Sequence, residues 1–366
     1  MDRWILYAVI LLFIIGETVI ISSNLLPYVF ENYQNFSMYK SIYKKPIYQL
    51  LTFLLGMFLI NKKFDYLLLK KKSVVYSLVL ASTLMLTMVL IKKYITHGHV
   101  DRWLVGTSLQ PLELTKVAFV IFIAYYLVEK GSIKEWRYIL WASFLVIINA
   151  FLISLQPDKG GAIFLLLLCG AMLYVGGIPK KVYLPILALF ALFTLYILTS
   201  KSGYVAERFS AWKDPFADPE ESGYQIIQSL FAFAHGGLWG VGIGKGLQKM
   251  GALPAADTDY VMSLIGEEFG FIGVLLVFYL YSILVGRLLY FTYKVKEPFG
   301  KLLLFGIAMN FAIAFFWNVG MAVNLLPPKG IALPLLSYGP SNLLFSLIAI
   351  WLAQSVISKA SKFLEK

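Results

Sequence analysis

Charge is scarce in this chain. Only 14% of its 366 residues are Asp, Glu, Lys or Arg, while 59% are hydrophobic. A soluble domain carries about 25% charged residues, so this balance excludes an ordinary soluble fold and points to the membrane class. Cysteine is rarer still. Cys169 stands alone in an apolar stretch, so no disulfide can form within the chain, and no CxxC or mixed Cys/His metal pattern exists. Histidine is limited to His97, His99 and His235. The His-x-His pair lacks a third protein ligand that the sequence can name, so it reads as a surface feature rather than a metal site, and His235 reads as structural. Internal repeats, low-complexity tracts and a large soluble domain are also missing.

What is present is a series of apolar stretches. A bilayer core needs about 20 apolar residues per helix. Ten candidate spans satisfy or approach this, at roughly 4–23, 47–61, 74–92, 113–129, 137–155, 161–177, 182–199, 262–291, 302–323 and 341–358. The expected fold is therefore an all-α polytopic membrane protein of about ten transmembrane helices. It forms one integral membrane domain over 1–366, with a large outer loop over about 200–261, between spans seven and eight. The first span is too long for a signal peptide and lacks a small-residue cleavage site, so it reads as a retained helix.

The formal net charge of +12 does not argue for nucleic acid here. The basic residues lie in short clusters between spans, which is how orientation in a bilayer is encoded. Lys62, Lys63 and Lys70 to Lys72 follow span two. Lys130, Lys134 and Arg137 follow span four, Lys180 and Lys181 span six, Lys294, Lys296 and Lys301 span eight, and Lys359, Lys362 and Lys366 span ten. Lys40, Lys44, Lys45, Lys92 and Lys93 run against the trend. The bias puts both termini in the cytoplasm. Segments 93–112, 155–160, 200–261 and 324–340 then all face outside, and they hold most of the unusual polar residues. Irregular backbone at a membrane needs partners from protein or water, so four such segments on one side suggest a shared wet cavity.

Within the first outer segment, Arg102-Trp103 precedes Gln110-Pro-Leu-Glu113-Leu-Thr-Lys116. Proline is tolerated in a first helical turn, and Glu113 and Lys116 then share one helix face. Two readings stay open: a helix-start salt bridge with interfacial anchors, or Arg102 and Lys116 as binders of an anionic headgroup. Gln156-Pro-Asp158-Lys159-Gly-Gly is a tight turn whose charged residues read either as solvated turn residues or as part of the site. Asp214-Pro and Asp218-Pro interrupt regular structure, and Tyr224 to Ala234 reads as a short amphipathic helix with Tyr224 and Gln228 on one face. The glycine-rich run Gly236 to Gly246 allows either close ligand approach or a plain re-entrant turn, and no βαβ unit surrounds it to make it a dinucleotide site.

Asp257-Thr-Asp259 lies just ahead of span eight, with Glu267 and Glu268 about two turns deeper. Asp259 is either a helix cap or a general base, since a partly desolvated carboxylate gains proton affinity in a useful range. The last outer segment, 325–342, mixes prolines and glycines with apolar residues, as a loop half-buried against the cavity would. Glu17, inside span one, is expected to face protein.

Together these pieces resemble the SEDS family of bacterial cell-wall proteins, the group that includes FtsW and RodA. The resemblance rests on Arg102-Trp103 with Gln110-Pro-x-Glu-Leu-x-Lys116, Gln156-Pro-Asp-x-Gly160, Gly223-Tyr-Gln-x-x-Gln-Ser229, Asp257-Thr-Asp-Tyr260, and Pro327 to Ser341. Each motif alone is weak, but five in the same order are specific and cover nearly the whole chain. Asp214-Pro, Asp218-Pro, Gln248-Lys249 and Pro328-Lys-Gly look more like the division members than the elongation members. Asp257 departs from a family histidine, Lys159 from a leucine, and Pro340-Ser-Asn from Gly-Ser-Ser, whereas Asp259 is retained.

The resemblance implies a peptidoglycan glycosyltransferase that polymerises lipid II outside the bacterial cytoplasmic membrane. It also implies a class B penicillin-binding protein as transpeptidase partner, alongside other membrane proteins of the division or elongation machinery. On this expectation Asp259 is the catalytic base. The substrate-binding set is Arg102, Trp103, Gln110, Glu113, Lys116, Gln156, Asp158, Arg208, Tyr224, Gln228, Lys245, Lys249 and Ser337. No protein metal site is expected, and a divalent cation, Mg or Mn, is optional for the leaving diphosphate. A lipid II flippase and a purely recruiting scaffold are the rival readings. The apolar inner half and short inner loops disfavour the flippase.

Overall fold

The computed structural model describes all residues except 32–43, 97–101, 105–108, 130–135, 157, 200–202, 250–252, 255 and 365–366. The described residues form helices and connections, with no strand among them. The helices are α1 (Arg3–Glu31), α2 (Lys44–Ile60), α3 (Lys72–Thr96), α4 (Pro111–Glu129), α5 (Trp136–Leu155), α6 (Lys159–Val175), α7 (Lys180–Thr199), α8 (Gly203–Lys213), α9 (Tyr224–Gly236), α10 (Val261–Lys294), α11 (Pro298–Ala322) and α12 (Pro340–Leu364). Eight of them are long and apolar enough to cross a membrane: α1, α3, α4, α5, α7, α10, α11 and α12. The other two expected spans correspond to α6, a shorter apolar helix, and to α2, 17 residues long. The all-α polytopic expectation therefore holds. His97 and His99 lie outside the described residues.

Packing follows from how completely each helix is apolar. α4 is buried on nearly every side and contacts α3, α6, α11 and α12. It has no polar face to offer water, as a helix in the middle of a bundle should not. α11 packs on α10, α4 and α6, so α4 and α11 form the centre. α7 keeps most of its leucines outward and touches chiefly α6 and α5, which places it at the periphery.

The sequence reads 262–291 as one span, but α10 is broken. Its 34 residues would run about 50 Å as a straight helix, well beyond a hydrocarbon core of about 30 Å. At Gly270 the backbone turns to φ 67°, ψ −166°. That region is open to glycine and strained for any other residue. A break inside a bilayer leaves backbone groups without partners, and lipid cannot supply them. The glycine-rich run supplies them here. Phe271 and Ile272 N–H donate to the carbonyls of Gly237 (2.9 Å) and Leu238 (3.3 Å), while Val241 and Gly242 N–H donate to those of Glu267 and Glu268 (both 3.0 Å).

The two carboxylates complete the repair. Leu247 N–H donates to Glu267 Oε1 at 2.8 Å, and His235 Nδ1 lies 2.9 Å from the same atom. Glu268 Oε1 accepts from Lys249 Nζ and from Ser22 Oγ of α1, both at 2.6 Å. The run is therefore a backbone patch that lets α10 change direction, in keeping with the plainer of its two readings.

Two elements of the long connection were not expected as they stand. Residues 203–213 form α8, and Asp214 caps a 3-10 turn over Pro215–Ala217. α9 matches the expected amphipathic helix. Its buried Ser229 lies 2.6 Å from Ser263 Oγ of α10 and donates to Ala322 O at the end of α11, also at 2.6 Å, so the middle of α9 is pinned to the start of α10 and the end of α11.

Candidate active site

The α11–α12 connection, residues 323–339, is the hub of the site. Its prolines, together with left-handed backbone at Asn324 (φ 59°) and Leu335 (φ 70°), keep it from becoming helix. Asn318 of α11 holds it in place. One amide nitrogen donates to both Asp259 O and Ile331 O, each at 2.8 Å. Tyr338 N–H donates to Asp257 O at 2.8 Å, and Ser337 Oγ donates to Thr258 O. Residues 257–259 are thus fastened along the connection by three successive carbonyls. From α2, Gln49 brackets the same turn, donating to Ser337 O at 3.0 Å and accepting from Gly339 N–H at 3.2 Å.

This fastening fixes where Asp259 sits. The N-cap of α10 is Tyr260, and no side chain caps that helix. The cap alternative therefore fails, and the Asp259 carboxylate is available for other work. It lies over Gly330. A Cβ placed on that glycine would fall 2.9 Å from Asp259 Oδ2 and 3.2 Å from Arg102 Nη1, so the carboxylate and the guanidinium sit side by side above bare backbone. Burial pushes the Asp259 carboxyl up to about 6. Arg102 and Arg208 pull against that rise, and the negative charges of Asp158 and Asp257 add to it. A carboxylate tuned this way is ionised near neutral pH yet retains real proton affinity, which is what a general base requires.

The surrounding groups come from every outer segment. Arg208 of α8 donates through Nη1 to Pro328 O at 3.1 Å. Trp103 is held through its carbonyl by Lys92 Nζ at 3.3 Å, and Gln110 N–H donates to Ser341 Oγ of α12 at 3.1 Å. Glu113 and Lys116 do pair, at 2.7 Å, but both are buried, and the ammonium sits 5.0 Å from the Phe164 ring centre. Asp158 is not a solvated turn residue. It is 4% exposed, and its Oδ1 accepts from Gly161 N–H at 2.8 Å, capping α6. Asp257 accepts from Lys45 Nζ at 2.8 Å, tying α2 to the same cluster.

Several residues expected to touch substrate are turned inward instead. Gln156 is buried and donates to Leu86 O at 2.8 Å. Ser337 is buried, and its hydroxyl is used twice on backbone, accepting from Leu333 N–H at 2.7 Å and donating to Thr258 O. Lys249 is buried in its ion pair with Glu268. Each supports the fold of the site rather than its open face. Lys245 is exposed on the glycine-rich run, and Tyr224 and Gln228 are half-buried on α9.

The structure also adds residues. Asn318 has no place in the sequence reading, and Gly160, Lys329 and Gly330 enter it only as parts of motifs, with no role at the site. Asn318 carried a usable signal, an amide inside an apolar span, where a polar side chain must find a partner. Gly160 and Lys329 carried none individually, because they meet only in three dimensions. A Cβ on Gly160 would fall 1.5 Å from Lys329 Cε. Among the described residues no group of three or more His, Cys, Asp or Glu side chains is placed to hold a metal ion.

Comparison with known proteins agrees with this architecture. The chain is similar to the probable peptidoglycan glycosyltransferase FtsW of Geobacter sulfurreducens, with 37% identity over 263 residues, 71% of this chain and 70% of that protein. It is similar over more of its length to the probable peptidoglycan glycosyltransferase FtsW of Buchnera aphidicola, with 30% identity over 356 residues, 95% of this chain and 91% of that one. Among solved structures it resembles a chain from work on the structural coordination of polymerization and crosslinking by a peptidoglycan synthase complex. The TM-score is 0.73, with 26% identity, and 98% of each chain is covered. Residues 2–362 match the family of cell cycle proteins that comprises FtsW, RodA and SpoVE. With the broken helix, the carboxylate beside its arginine and nearly full-length matches in view, this chain belongs to the FtsW/RodA/SpoVE family.

Proposed function

We propose that this protein is a peptidoglycan glycosyltransferase of the division type, polymerising lipid II at the outer face of the bacterial cytoplasmic membrane with Asp259 as general base. The observation that carries the reading is the Asp259 carboxylate, raised to about 6 and set beside Arg102 over Gly330. The relatives named FtsW support the division role over elongation. The basic clusters support ten crossings with both termini in the cytoplasm, which puts the site outside.

In the proposed step the acceptor sugar hydroxyl attacks the donor's anomeric carbon. Its oxygen forms the new glycosidic bond, its proton passes to Asp259, and the bond from carbon to the diphosphate breaks with its electron pair. Polyprenyl diphosphate departs. Arg102 and Arg208 sit where they can stabilise the charge that develops, and such preorganised charge is a large part of catalysis. A magnesium or manganese ion serving this step would take most of its ligands from the diphosphate oxygens. A class B penicillin-binding protein is the partner proposed for crosslinking, with other division proteins around it.

The test is polymerisation of purified lipid II by the full chain with its transpeptidase partner, comparing the native protein with Asp259→Asn. General-base catalysis typically contributes about 10²–10⁴-fold, so a loss of that order is expected at unchanged expression and assembly. Native rates in the variant would refute the role. Translocation of labelled lipid II without polymer would favour a transporter instead.

A further inference from the structure

Lys329 stands apart from the other cations of the site. Lys116 is neutralised by Glu113, and Arg208 spends a guanidinium nitrogen on Pro328 O. The Lys329 ammonium is enclosed and makes no hydrogen bond. Its stem crosses the bare backbone of Gly160, and its head rests on two aromatic rings, 4.7 Å from Trp317 and 5.9 Å from Phe164. The backbone on either side is fixed. Arg208 holds Pro328 O, and Ile331 N–H donates to Lys329 O at 2.8 Å, so the side chain is the part able to move.

An ammonium with three unused donors is poorly satisfied where it lies. Ring faces hold it only weakly, and charge-assisted hydrogen bonds to phosphate oxygens are the stronger alternative. Desolvation pushes its pKa down to about 7, while Asp158 and Asp259 pull upward and Lys116 and Arg102 push further down. An arriving dianion would restore and hold its charge.

We propose that Lys329 is a parked cation that leaves its aromatic slot to bind the diphosphate of the polyprenyl-linked donor and to hold that group as it departs. This rests on the glycosyltransferase reading above. Lys329 moves no proton in the step. The carbon–oxygen bond breaks toward the phosphate oxygen as before, and the ammonium takes the resulting charge by hydrogen bonding. Gly160 belongs to the device, because any side chain there would overlap the stem.

The experiment compares native protein with Lys329→Met, which keeps the stem and removes the charge, in the full chain bound to its partner. Two quantities are read: the polymerisation rate, and inhibition by added polyprenyl diphosphate. Lys329→Met is expected to lower the rate about 100-fold, as loss of one transition-state donor does, and to weaken that inhibition about tenfold or more. An unchanged inhibition constant overturns the proposal, even if the rate falls.

If Lys329→Met fails to assemble, Lys329→Cys replaces it and is treated with bromoethylamine, which rebuilds an ammonium at the same reach. The native Cys169 is buried and does not compete. Recovery by aminoethylation but not by a neutral ethyl reagent supports the parked cation, and equal recovery by both overturns it. Should the native protein make no polymer at all, the function reading fails. Should it make polymer with Lys329→Met behaving as native, only this inference fails.

Discussion

Asp259 and Gly330 occupy one space. The carboxylate oxygen of the first lies 2.9 Å from the point where a side chain on the second would begin, and Arg102 crowds the same point from 3.2 Å. Gly330→Ala should therefore displace the carboxylate and the guanidinium together while leaving the helices untouched. Misplacement by about an ångström can cost on the order of 100-fold in rate. Expected is a loss of that size in lipid II polymerisation, with an unchanged melting temperature in detergent.

The rate should depend on pH in one direction. Asp259 must be ionised to act, so the rate should rise with pH through an acid limb near the carboxyl's own value of about 6. Arg102 lowers that value and Asp158 raises it. Arg102→Met should move the limb to higher pH, and Asp158→Asn should move it to lower pH. Polymerisation rates across the acid range, for native protein and both variants, read the two shifts directly. Shifts in the same direction would count against the electrostatic account.

Helix α10 offers a stability test. A methyl group on Gly270 would fall 2.3 Å from Gly240 N and 2.5 Å from Leu238 O, in backbone that already has positive φ. Gly270→Ala should cost about 2–3 kcal/mol, from backbone strain and loss of the close approach. Gly286, farther along the same helix, has nothing within 4 Å of its Cβ position. Gly286→Ala should leave stability unchanged or raise it slightly, by up to about 1 kcal/mol. Thermal unfolding of both variants in one detergent makes the comparison.

The apolar spans were legible because a bilayer demands continuous hydrophobic length, and the order of short motifs pointed to one family. Asp259 was legible as a candidate but not as a base, since the same residue could have capped α10. Tyr260 taking the cap position removes that alternative and leaves the base as the proposal. The helix over 203–213 was hidden because its apolar stripe is short, only Val205, Phe209 and Trp212, and lies in a connection of mixed polarity. Gln156 and Ser337 misled for a simple reason: a polar side chain in a loop looks the same in sequence whether it meets a sugar or a carbonyl of its own chain. The Lys329–Gly160 contact was beyond reach, because nothing local in either segment announces the other.

Arg102, Asp259 and Gly330 come from the early, late-middle and closing stretches of the polypeptide, and none of the three means anything chemically without the other two. On the reading proposed above, the site is therefore complete only when the connection after α11 lies against residues 257–259. A chain cut short ahead of Gly330 keeps most of its apolar spans and is expected to form no polymer.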